Sequence, residues 1–274
     1  MKKSEKRNKN WDDTKAPPRN QPVFKIFKKV FRHIFKAKVE SMIEELPDKA
    51  IIVSIHAAKK GPTTISVNYP KFHAMWGHHG MLGGYIERYK YLRNVLYIQK
   101  MHKNKIIASL KATYEAAFSI LIYKGMNVIG TYTDMQFLST VRKSMAVLDD
   151  NASVVIFPED SSEGYFDEIR HSFPGFVMLS ATYYQKNGED VPIIPAYISN
   201  KHRRFILGEP KYVREMERSG MTKQEIADNL GEEINKLYRE YIATGRAVEV
   251  KIKNAPVRTR AYYDELEQVR SKGI

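Results

Sequence analysis

Val154-Val155-Ile156-Phe157-Pro158-Glu159-Asp160-Ser161-Ser162-Glu163-Gly164-Tyr165 is an apolar, β-type run that stops at a proline, passes through acids and hydroxyls, and meets a glycine. A strand followed by a polar loop is how α/β proteins present chemistry: the sheet fixes the backbone, and the loop at the strand's carboxyl end carries the site. A second apolar run at 50–55 ends in the same way, in His56. Two strand ends, one giving an imidazole and one a carboxylate, are the start of an acid–base site. Ordinary strand-to-loop turns are the structural alternative.

Outward from these two runs, strands and helices alternate. Residues 126–132, 193–198 and 248–252 also read as strands, and 82–96, 105–123, 135–148, 176–185 and 223–243 fit helices. Asn187-Gly188 and Gly208-Glu209-Pro210 mark turns. Thr222, with Glu225 three residues on, forms a capping box that opens the late helix. This alternation predicts an α/β fold, a mixed but mostly parallel sheet flanked by helices. The sheet domain is expected at 48–254. Around it lie a basic tail at 1–20, read as disordered, an amphipathic helix within 21–47, and a charged helix at 255–274.

Of the 274 residues, 43% are hydrophobic, enough for a packed core. The absence of cysteine excludes disulfides, thiolate metal sites and a cysteine nucleophile. A net charge of +14 implies an anionic partner: a nucleic acid, a membrane or a phosphorylated substrate. No apolar run reaches the ~18–20 residues of a transmembrane helix, and the N-terminal residues are too polar for a secretory signal. The expected place is the cytoplasmic face of a membrane, with the protein bound peripherally through residues 22–46. Pro22 suits the first turn of a helix there. Val23, Phe24, Phe27, Val30, Phe31, Ile34, Phe35, Met42, Ile43 and Leu46 recur at spacings of three and four. Lys25, Lys28, Lys29, Arg32, Lys36 and Lys38 take the other faces, with no acid before Glu40. A Phe-rich face backed only by cations is the composition of an in-plane helix on an anionic membrane. Packing on the domain's own core is the alternative.

Three segments carry a family resemblance. His56-Ala57-Ala58-Lys59-Lys60-Gly61-Pro62 follows the first strand, Gly130-Thr131-Tyr132 ends another, and Phe157-Pro158-Glu159-Asp160-Ser161-Ser162 follows the third. Phe173-Pro174-Gly175-Phe176 and Val191-Pro192-Ile193-Ile194-Pro195 come after them. In order and spacing, residues 52–198 resemble the glycerolipid acyltransferase superfamily, enzymes that acylate lysophosphatidate and related lysophospholipids. The resemblance implies O-acyl transfer from an acyl thioester, carried by coenzyme A or acyl carrier protein, to a lipid hydroxyl, with no cofactor. It makes His56 the general base and puts Glu159 at the acceptor site. The family's orienting Asp, five positions after the His, is Gly61 here, and the arginines of its other two signatures are absent from Gly130-Thr131-Tyr132-Thr133 and replaced at Ser162. Divergent bacterial members resemble this chain in carrying Gly-Pro after the spacer. Glu159, Asp160 and Asp134 are the candidate replacements for the orienting Asp.

The residue chemistry agrees with that reading. Attack on a thioester needs a base for the hydroxyl and donors for the developing oxyanion. Phe157 and Pro158 lead into the loop opposite His56, and Asp160, Ser161, Ser162 and Gly164 supply its hydroxyls and N–H groups. Lys59 and Lys60 stand ready for an anionic head group, or form a solvated pair. Gly130 and Thr131 fill the second signature's slot. His73, His78 and His79 lack metal-ligand spacing, so no metal is expected, and residues 72–77 either line a pocket or pack. Tyr85, Tyr89, Tyr91 and Tyr97 with Arg88, Lys90 and Arg93 read as core plus solvated face, or as a membrane-interface face, and nucleic acid is not the expected partner. Lys201-His202-Arg203-Arg204 holds phosphate or forms a solvated turn. A non-catalytic, membrane-peripheral protein that binds lipid or acyl chains is the rival reading.

Overall fold

The computed structural model describes residues 15–19, 21–57 and 60–248. Seven strands build one sheet: β1 (Lys38–Ser41), β2 (Ile51–Ser54), β3 (His73–His78), β4 (Val128–Thr131), β5 (Ser153–Ile156), β6 (Ile193–Ser199) and β7 (Arg204–Leu207). Their order is β1-β7-β6-β2-β5-β3-β4. Only the β6–β7 pairing is antiparallel. The helices are α1 (Pro22–Ile34), α2 (Gly61–Asn68), α3 (Tyr85–Lys90), α4 (Lys105–Gly125), α5 (Phe137–Asp149), α6 (Gly175–Asn187), α7 (Val213–Arg218) and α8 (Lys223–Leu237). α3 runs on as a π-helix, Tyr91–Lys100, and α8 as another, Tyr238–Ala243. The fold is therefore α/β, with a mixed, mostly parallel sheet between helices.

The central strands β2, β5 and β6 are buried at every position, and mostly apolar, because both faces of the sheet are covered. Ile51, Val53, Val154 and Ile156 join the core beneath α5, α6 and α8. Their alternates Ile52 and Val155 join Ile65 of α2 and Phe205 on the opposite face. Between β3 and β4 stands a helical hairpin with a small core of its own. Leu92, Leu96 and Tyr97 of the π-helix meet Ala108, Ala112 and Ala116 of α4 there.

The structure corrects several expected boundaries. The helix expected through residue 46 ends at Ile34, and residues 38–41 become β1. Asn68 makes the stop possible: its amide donates to the Phe35 carbonyl at 2.7 Å and accepts the Ala37 N–H at 3.1 Å. Pairing with β7 then overrides the helical periodicity. β1 therefore joins the sheet ahead of residue 48, where the domain was expected to begin. β3, β7, α2 and α7 were not expected as elements. The helix expected at 82–96 starts at Tyr85 and reaches Lys100. α4, read as too short a run to span a membrane, is long and apolar enough by length and composition, with a mean hydropathy of 1.3; Lys111 and Glu115 interrupt the run in the sequence. Of the strand expected at 248–252 only Val248 is described, buried outside any strand. The helix expected at 255–274 and most of the 1–20 tail lie outside the described residues. Within that tail, Arg19 pairs with Asp150 at 2.9 Å.

Candidate functional site

β2 and β5 are neighbours, so the loops at their carboxyl ends open side by side. His56 is half-buried just past β2. Its backbone N–H donates to Glu159 Oε1 at 3.1 Å. Its ring lies against Phe157, with centroids 4.8 Å apart, and against Tyr165 at 5.1 Å. The loop after β5 is braced by a short antiparallel return. Glu159 bridges Ser172, Asp160 N–H donates to the His171 carbonyl at 3.0 Å, and Phe173 N–H donates to that of Pro158 at 2.8 Å. This bracing fixes the backbone that carries the two carboxylates.

The two acids of the loop sit in opposite environments. Burial pushes Glu159 up to about 7, against the opposing pull of the His56 N–H and the Lys100 cation. Asp160, more exposed, is held below its ordinary value by the Ser162 N–H, which it accepts at 2.9 Å. Neighbouring carboxyls driven apart in this way suit one to hold a proton near neutrality while the other stays charged.

Lys100 completes the cluster. It ends the π-helix and donates from Nζ to Ser161 Oγ at 2.6 Å, with Nζ also 5.7 Å from the Tyr165 ring centroid. Burial lowers its pKa, while Glu159 and Asp160 pull it back up. Sequence reasoning missed Lys100 because 59 positions and two helical elements separate it from Glu159. The signal available was its place at the end of a tyrosine- and cation-rich helix beside a strand end. π-helical turns recur at functional sites, where they shift a side chain out of α-helical register.

No family model, characterised protein or solved structure matches this chain. The chemistry rests on the geometry.

Most of the expected site converges. His56, Phe157, Pro158, Glu159, Asp160, Ser161, Ser162 and Gly164 share the β2–β5 loops. Gly164 has φ +125°, and a Cβ there would press on His102 Nε2 at 3.3 Å, so glycine is required. Lys60 is exposed at the start of α2, and Lys59 lies outside the described residues. Gly130 and Thr131 stand apart on the edge strand β4. Gly130 accepts from Thr140 Oγ1 at 2.7 Å, and Thr131 Oγ1 donates to Gly77 at 3.1 Å. The aromatic row Tyr91, His78, His79 and Tyr132, with centroids 4.6, 4.3 and 4.9 Å apart, lies on that side. Burial, then His79 and Lys100, push His78 down to about 4, and Gly80 N–H donates to its Nδ1 at 3.0 Å; it is a neutral acceptor. Trp76 packs on Phe137 in the core. Among the described residues no group of three or more His, Asp or Glu could hold a metal. Arg204 pairs with Glu40, and its three predecessors form an exposed turn.

Gly61 has a steric reason. It opens α2 where the helix meets the end of β2, and a Cβ there would collide with the His56 carbonyl. The turn is held by Thr64 Oγ1, 2.8 Å from Asn200 Oδ1, and by Asn200 Nδ2, which donates to the Ala57 carbonyl at 3.3 Å. Any carboxylate serving His56 must come from another element. Asp134 accepts the Gln136 N–H at 2.9 Å and belongs to the α5 turn. Glu159 is the acid that reaches the His56 backbone.

Proposed function

We propose that this chain transfers a fatty acyl group from an acyl thioester to a lipid hydroxyl, as a divergent relative of the glycerolipid acyltransferases. The observation that carries the reading is that adjacent strand ends bring His56 and Glu159 together, the His56 backbone N–H donating to the Glu159 carboxylate, with Lys100 bonded to Ser161 of the same loop. In this reaction His56 accepts the proton of the acceptor hydroxyl as its oxygen attacks the thioester carbonyl. The tetrahedral intermediate collapses with C–S cleavage, and the leaving thiolate takes the proton back from the imidazolium. Lys100 takes the place of the family's arginines as the cation that holds substrate phosphate. Coenzyme A or acyl carrier protein delivers the acyl group, and the acceptor is a lysophospholipid or similar lipid. Attachment to the inner face of the membrane is supported by α1, where Ile26, Val30 and Ile34 are exposed among Lys25, Lys29 and Arg32.

The rival is a protein that binds lipid or acyl chains without turning them over; Gly61 in place of the family's Asp favours it. The test is transfer of a labelled long-chain acyl group, from coenzyme A and separately from acyl carrier protein, to a panel of lysolipids. His56→Ala and Lys100→Met run alongside. Product that falls at least about a hundredfold in His56→Ala supports the enzyme. In Lys100→Met the KM for phosphate-bearing acceptors should rise. No product from either donor, with lipid binding intact in His56→Ala, would select the rival.

A further inference from the structure

The outer face of α4 carries large apolar side chains that stand exposed among the described residues. Ile106, Leu110, Tyr114, Phe118 and Leu121 are each 49–74% exposed. Their spacings of four, four, four and three set them in one stripe along a helix of 21 residues, about 30 Å long. The opposite face is closed, with Ala108, Ala112 and Ala116 fully buried against the π-helix. Monomeric proteins seldom expose so continuous an apolar strip.

The charge around the stripe indicates what covers it. Lys105, Lys111 and Lys124 are exposed along α4, and its one acid, Glu115, turns inward to hydrogen-bond Tyr97. The neighbouring helix α1 adds exposed Lys25, Lys29 and Arg32 and contains no acid; its Phe24 packs against Gly125 at the end of α4. An apolar strip whose exposed charges on α4 and α1 are all cations fits a surface that is apolar inside and anionic at its boundary. A second copy of this chain would set lysine against lysine. A spanning orientation would carry Lys111 into the hydrocarbon, where a charge is costly; lying in the interface leaves all three lysines at head-group level.

We propose that the exposed face of α4 docks this protein on an anionic lipid bilayer, with the helix lying in the plane of the membrane. The proposal rests on the reading of the chain as a membrane-peripheral protein and moves its principal contact from α1 to the hairpin. The hairpin also carries Lys100, and Tyr165, which lies against the His56 ring, packs on the hairpin core. Docking there would tie the membrane contact to the same hairpin that touches the β2–β5 loops through Lys100 and Tyr165.

The experiment is co-sedimentation of the full chain with vesicles of phosphatidylcholine and phosphatidylglycerol in equal amounts, and with phosphatidylcholine alone. Leu110→Ser with Phe118→Ser removes the centre of the stripe. These side chains are exposed, so the thermal melt should not move. Ile26→Ser with Val30→Ser tests α1. The α4 variant should partition at least about tenfold less onto the anionic vesicles, from loss of buried apolar area; the α1 variant should lose less. Loss confined to the α1 variant would overturn the proposal and leave membrane attachment standing. Failure of the wild type to bind either vesicle would sink both readings. A wild-type dimer that the α4 variant turns into a monomer would reassign the stripe to self-association.

Discussion

At the scale of single residues, Gly61 and Glu159 set what His56 can do. Placing at this position the carboxylate that the glycerolipid acyltransferases carry, by Gly61→Asp, should fail, because the new Cβ meets the His56 carbonyl. The substitution is expected to destabilise the fold by about 2–3 kcal/mol, as forced overpacking does, and to lower activity. A denaturant melt together with the transfer assay checks this, and higher turnover in a variant of unchanged stability would refute it. The sequence displays His56, Phe157, Glu159 and the hydroxyl loop plainly, because each lies within a few residues of an apolar run. It also displays Gly61 where the resemblance calls for an Asp, but not the cause. That cause is the approach of the first turn of α2 to the end of β2, and α2, with its small and polar residues, gives no amphipathic signal of its own. Lys100 enters the site only through space, and Tyr165, though it closes the loop in sequence, shows its place against the His56 ring only in the fold.

At the scale of elements, the hairpin is the part that a composition reading misjudges. Its periodicity predicts two helices, and two are found, but the face of α4 that looks like core, Leu110 to Leu121, is outside. The packed face consists of alanines at 108, 112 and 116, whose size lets α4 approach the π-helix closely. Arg88 crosses the same seam, donating from Nε and Nη2 to the Ala116 carbonyl at 3.0 and 2.9 Å and from Nη1 to Gly83. Ala112→Leu should force the seam apart at a cost of about 1–3 kcal/mol and draw Lys100 away from Ser161. The expected result is a lower melting temperature together with a raised KM and little change in kcat. Unchanged kinetics in a destabilised protein would show that the hairpin does not position Lys100. β1 illustrates the other limit of sequence: no proline or glycine separates its four residues from the helix before them, and only their pairing with β7 makes them a strand.

At the scale of the molecule, two carboxyls, Glu40 fully buried and Glu159 half-buried, tilt stability in opposite directions with pH. Glu40, fully buried, accepts from Arg204 Nε at 2.7 Å, from Arg204 Nη2 at 2.9 Å and from Val248 N–H at 3.2 Å, tying the first strand to the last described residue. Burial alone would raise its pKa, but the Arg204 and Val248 bonds and the nearby cations outweigh it, and the net direction is down. Its contribution is therefore complete above the unfolded carboxyl value of ~4.3 and is lost as pH falls through the lower folded value. Glu159 runs the other way. With its pKa raised to about 7 by burial, the folded state holds a proton that the unfolded chain has released. Stability then declines between ~4.3 and about 7, by up to about 1.4 kcal/mol per pH unit, and levels off above. Urea midpoints across this range should show Glu159→Gln flattening the limb towards neutral pH while the acid limb stays. Glu40→Gln should leave Arg204 buried without its counter-charge, cost about 3 kcal/mol near neutral pH and weaken the acid limb. If Glu159→Gln kept the wild-type slope between pH 5 and 7 (roughly the window set by the two carboxyl values), Glu159 would be ionised throughout. The site would then hold two anions beside His56, and Lys100 would be occupied in neutralising them rather than in holding substrate phosphate.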